Sequence, residues 1–128
     1  MPALEGVLMG KEPQPRFGPH EPVEHLAGVS ERDWQRQIVE TAEWGDWWWY
    51  HVPDSRRSNA GFPDLVLLHA ERGAIFVEVK TEKGRVSPAQ RMILGVMDAA
   101  GLEVRVWRPS DGDEVMLRLL GARWKGTP

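Results

Sequence analysis

The feature that most restricts this chain is a pair of short apolar runs with charged residues at their ends. Asp64 precedes Leu65-Val66-Leu67-Leu68, and Ala74-Ile75-Phe76-Val77 leads into Glu78-Val79-Lys80. Glu71-Arg72-Gly73 breaks the chain between them. Two such runs around a glycine turn predict a β-hairpin, with strands buried on both faces. Glu78 and Lys80 stand two apart in a strand, so their side chains leave the same face. A turn around residues 71–73 makes paired positions sum to about 144 or 142, which sets Asp64 opposite Lys80 or Glu78. Either register brings the three polar groups to one face, with opposite Cβ atoms about 5 Å apart. Two carboxylates and an ammonium among apolar strands are costly unless they have partners. They make either an ion pair at an exposed strand end or a site where the carboxylates share a divalent cation. Oxygen donors without cysteine or clustered histidine suit Mg²⁺ or Mn²⁺ rather than zinc.

The flanking segments supply helices. Ser30 with Asp33 three residues on predicts a helix N-terminus, and the helix runs to about Trp44 and stops at Gly45. Trp34, Ile38, Ala42 and Gln37 share one side of it. Trp47 to Val52 is bulky and aromatic and predicts a strand ended by Pro53. Its side chains alternate, with Trp47 and Trp49 on one face and Trp48 and Tyr50 on the other. Ser87-Pro88-Ala89-Gln90 carries the cap, the first-turn proline and the glutamine that open a helix, whose stripe is Met92, Ile93, Val96, Met97 and Ala100. Glu103 to Trp107 alternates as a strand, and a last short helix covers about Asp113 to Leu120. The order predicts an α/β fold with an αβββαβ core, a mixed central sheet flanked by helices.

Composition narrows the setting. A chain of 128 residues with 41% hydrophobic content is one domain. It has no cysteine, hence no disulfide and no thiolate metal site. No apolar run is long enough to cross a membrane, and the N-terminus shows no signal or lipidation pattern, so a cytoplasmic protein is expected. Residues 1–29 hold five of the ten prolines and four of the thirteen glycines without apolar periodicity. They read as a disordered or extended tail, with the folded domain at 30–122 and a C-terminal tail at 123–128. The net charge is -3, which does not announce a nucleic-acid binder. Residues 56–91, however, carry seven basic against four acidic side chains.

Taken together, "GFPDLVLL" and "IFVEVKTEKGRVSPAQ" resemble the PD-(D/E)XK nuclease superfamily, and within it the VRR-NUC family. The resemblance covers about residues 30–110 and implies a restriction-endonuclease-like fold and metal-dependent hydrolysis of DNA phosphodiesters. Carried over residue by residue, it makes Asp64, Glu78 and Lys80 catalytic, with Gln90 positioning the lysine or a water. The metal ligands would be Asp64, Glu78, the Val79 carbonyl and, from the first helix, Glu31. Glu31 read alone is simply a favourable acid in the first turn of a helix. Standalone members resemble Holliday-junction resolvases, and this short, self-standing chain also resembles phage-encoded versions. This implies a structure-specific endonuclease, branched DNA such as a four-way junction as partner, a homodimer, and host cytoplasm if phage-encoded.

Arg56, Arg57 and Ser58 precede the site, and Lys83, Arg85 and Arg91 follow it. These are the candidate nucleic-acid contacts, set against the reading of solvated loops. The tryptophan run reads as a half-buried sheet with ring surface left for a subunit interface. Two rivals share the fold: a nucleic-acid-binding module with a vestigial site, and a protein-interaction domain.

Overall fold

The structure is a computed structural model, and it describes residues 17, 19–53 and 60–121. Helix α1 spans Glu31–Trp44, and strand β1 spans Trp48–His51. Strands β2 (Leu65–His69) and β3 (Gly73–Val79) form the hairpin. Helix α2 (Pro88–Ala99), strand β4 (Val104–Trp107) and helix α3 (Gly112–Leu120) follow. The sheet order is β1-β2-β3-β4, antiparallel for the first two pairs and parallel between β3 and β4. This is the expected α/β arrangement with a mixed sheet, consistent with a restriction-endonuclease-like core.

Two apolar layers hold the sheet. On one face α1 brings Trp34, Ile38 and Ala42, and α3 brings Val115 and Leu119, against Leu65, Leu67, Ile75, Val77 and Trp107. On the other face Leu94 and Met97 of α2 meet Val104, Val106 and Phe76, joined by Phe17 and Val86. Helix α2 therefore lies over β3 and β4 and leaves β2 partly open. Leu68 is exposed and Val66 only half-buried, so the expectation of strands buried on both faces holds for β3 better than for β2.

Local details depart from the sequence reading in informative ways. Gln37 is exposed, and the buried position beside Ile38 belongs to Thr41, whose hydroxyl donates to the Gln37 carbonyl at 2.8 Å. The apolar stripe of α2 runs through Ile93, Leu94 and Met97, while Met92 and Ala100 are exposed. Trp47 stands before β1 instead of in it, buried, with its indole N–H donating to the Leu119 carbonyl at 2.9 Å. Arg72 and Arg118 lie over its ring. All four residues of β1 are exposed, and Trp48 and Tyr50 present parallel rings 6.2 Å apart on one face.

Packing begins before Ser30. Phe17 is buried in the second layer, a short 3₁₀ turn occupies Glu24–Leu26, and His20 and the Val23 N–H both bind Glu82. Of the segment expected to be a tail, these residues are part of the packed body. Residues 1–16 and 18 of that segment, residue 122, and the C-terminal tail at 123–128 with Trp124 lie outside the described residues.

Candidate active site

Helix α2 and the hairpin build the site between them. Leu65 pairs with Val77 and Val66 with Phe76, so one step further Asp64 falls opposite Glu78, the second of the two registers expected. Parity places both acids on the face that α2 covers. The Val52 N–H donates to the Asp64 carbonyl at 2.8 Å and ties the end of β1 to this point. Pro63 is buried, and Phe62 meets Phe76 edge-on at 6.2 Å. Gly61 adopts φ 95°, and a Cβ there would lie 2.5 Å from the Ala89 carbonyl oxygen. Only glycine lets this loop press against the first turn of α2 and deliver Asp64 to the strand end.

Asp64 Oδ2 accepts the Val79 N–H at 3.0 Å, so its carboxylate turns along β3 toward Glu78. Glu78 is only 2% exposed. Its Oε2 accepts from Gln90 Nε2 at 2.9 Å and lies 3.5 Å from Lys80 Nζ. Its Oε1 has no hydrogen-bond partner among the described residues. Burial, and then the charge of Asp64, push the Glu78 carboxyl up to about 8, against the lowering pull of Lys80. Adjacent carboxylates in a poorly solvated place resist ionising together, and a cation between them removes that conflict.

Gln90 has two duties. Ser87 Oγ accepts the Gln90 N–H and Gln90 Oε1 accepts the Ser87 N–H, a complete capping box. With its oxygen so engaged, the amide must point Nε2 at Glu78. Gln90, Ile93, Leu94 and Met97 follow the i, i+3, i+4, i+7 rule, so the glutamine extends the apolar stripe that faces the sheet. The stripe expected from Met92 and Ala100 hid this signal.

The other candidates are dispersed. Glu31 is exposed in the first turn of α1. That turn is stitched near the site, because the Trp107 carbonyl accepts both the Trp34 indole N–H at 2.9 Å and the Lys80 N–H at 3.1 Å. Among the described residues no group of three His, Cys, Asp or Glu side chains gathers for a metal. The pair still fits a divalent cation: two oxygen-donor side chains are adjacent, one buried oxygen is unmatched, and the Val79 carbonyl is next in the chain. Lys83 pairs with Glu24 at 3.2 Å, Arg85 is exposed, and Arg91 reaches the Val86 carbonyl at 3.4 Å. Arg56, Arg57 and Ser58 lie outside the described residues. Sequence reasoning missed Glu82 and Arg108, both buried beside the loop that enters α2. No spacing rule singles out either one.

The mixed sheet thus carries the acid pair and Lys80 together at one end of the hairpin. The family model described as the VRR-NUC domain matches residues 19–111, and the chain belongs to that family. It is thus a nuclease-type domain that acts on DNA, of a family whose nucleases generally depend on divalent metals. No curated protein and no solved structure matches the chain significantly. Among the described residues no helix is long and apolar enough to cross a membrane.

Proposed function

We propose that this chain is a divalent-metal-dependent DNA endonuclease that hydrolyses phosphodiester bonds at the Asp64–Glu78–Lys80 site. The observation that carries the reading is Glu78: a carboxylate only 2% exposed, beside a second acid, with one oxygen unmatched. Asp64, Glu78 and the Val79 carbonyl would hold Mg²⁺ or Mn²⁺, with Glu31 reaching it through water. When bound, the cation supplies charge neutralisation for the phosphate. Lys80, within 3.5 Å of Glu78, supports deprotonation of the attacking water or stabilises the charge that grows on phosphorus-bound oxygens. Gln90 keeps the Glu78 carboxylate turned toward that chemistry.

The preferred substrate we propose is branched DNA, with two copies of the chain acting as a homodimer whose paired sites match the two-fold character of a four-way junction. The test is cleavage of single strands, flaps, splayed arms and four-way junctions with Mg²⁺, with Mn²⁺ and with chelator. Metal-dependent cutting that is strongest on the junction supports the whole reading. Cutting of every substrate alike removes the structural preference, and no cutting with either ion, while DNA binding persists, makes the chain a binding module.

A further inference from the structure

The loop that follows Lys80 also borders a cavity. This cavity, of about 470 Å³, is walled by the N-terminal segment on one side and by the loop into α2 on the other. Four cations line it: Lys83, Arg85, Arg91 and Arg108. Among the described residues the one acid in its wall is Glu82, fully buried, with both oxygens already engaged by His20, the Val23 N–H and the Ser110 N–H. Lys83 is paired with Glu24 and Asp111 lies beside Arg108, so the cations of the wall left to meet an anion are Arg85, Arg91 and the free Nε–H of Arg108. Arg108 is the decisive residue. It is 5% exposed, donates to the Gly84 carbonyl at 2.7 Å, and its Nε has no acceptor among the described residues. A buried guanidinium donor without an acceptor is costly, and an anionic oxygen entering the cavity would match it.

We propose that this cavity binds a phosphate group, and that its natural source is the terminal phosphate of a DNA strand. Arginine forks suit phosphate oxygens, and a terminal monoester presents more free oxygens to them than a bridging diester does. The volume suits a single nucleotide-sized group, whereas a duplex would not enter. The inference rests on the chain acting on DNA but not on its cutting DNA.

The test is binding by the full-length chain in chelator, where cleavage plays no part. Inorganic phosphate, pyrophosphate and three single-stranded oligonucleotides of one sequence are compared: 5′-phosphorylated, 3′-phosphorylated and unphosphorylated. One phosphorylated oligonucleotide should bind about tenfold tighter than the unphosphorylated one. The Arg108 Nε–H signal in a ¹H–¹⁵N spectrum, assigned by its loss in Arg108→Lys, should shift on addition of phosphate. The Arg85→Ala/Arg91→Ala variant changes two exposed residues and should erase the tenfold preference. A shift with phosphate or pyrophosphate but equal oligonucleotide affinities would keep the phosphate site and replace the strand end by a free anion. Equal affinities with an unmoved Arg108 signal would overturn the site altogether.

Discussion

Glu78 links stability and chemistry at the level of one side chain. Its carboxyl is raised in the folded chain from 4.5 to about 8, by burial and then by Asp64. Below pH 4.5 both folded and unfolded chains hold the proton, and the group is neutral in the balance. Between 4.5 and about 8 the unfolded chain ionises and the folded chain resists, so folding stability falls as pH rises. In chelator, urea unfolding at pH 5 and pH 8 should therefore differ by about 3 to 5 kcal/mol from this group. Glu78→Gln keeps an acceptor for Gln90, should flatten that slope and should abolish cleavage. Parallel pH profiles for the two proteins would mean that burial does not set the Glu78 proton. Lys80→Met should retain metal binding by calorimetry and lose roughly a hundredfold or more in cleavage rate. Loss of metal binding as well would assign Lys80 to holding the acids in place.

Helix α2 shows how much of the site was legible and where legibility ended. The Ser87 cap, the first-turn proline and Gln90 were plain in the sequence because capping is a local matter of neighbouring backbone groups. Asp64, Glu78 and Lys80 were legible because strand parity is local too. Their register was open between two choices, since a shift of two residues in paired-position sum leaves every side chain on its face. What the sequence hid depends on contacts distant along the chain. The stripe of α2 is turned so that Leu94 and Met97 meet β4, and Glu82 collects donors from residues 59 and 62 positions upstream. Trp47 likewise read as part of a strand because its partner, the Leu119 carbonyl, is 72 residues away. One consequence is testable within this element. Ser87→Ala should cost about 1 kcal/mol, read as a lower melting temperature. It should also reduce cleavage, because the Ser87 hydroxyl no longer pins the Gln90 backbone N–H beneath the side chain that reaches Glu78. Unchanged cleavage with lowered stability would separate the cap from the site.

At the scale of the molecule, the N-terminal segment is a structural member. Deleting residues 1–28 removes Phe17 from the second core layer and strips Glu82 of His20 and the Val23 N–H. Glu82 is fully buried, and those two groups with Ser110 outweigh its burial and hold it down to about 2. The expected loss is about 3 kcal/mol or more, on the scale of a deleted core phenylalanine, and chemical unfolding of the truncated chain measures it. An unshifted unfolding midpoint would show that the segment only decorates the surface. Assembly is open to a direct measurement as well. With all of β1 exposed and Trp48 at 59%, the edge of the sheet and its aromatic rings call for a partner. Light scattering at micromolar concentration should report twice the 14.5 kDa chain mass, and the single-chain mass would remove the case for paired cuts. Finally, α3 lies beyond the last residue of the family match, yet the sheet leans on it. The Leu119 carbonyl accepts Trp47 and Arg72, Arg72 also donates to the Arg118 carbonyl, and Arg118 grips Glu103. The inherited module and the unit able to fold are thus different lengths of chain. A gene fragment ending at Asp111 would encode every candidate catalytic residue and still strip Val115 and Leu119 from the sheet face that α1 shares with α3. Transplanting this nuclease into another protein therefore means carrying α3 along with it.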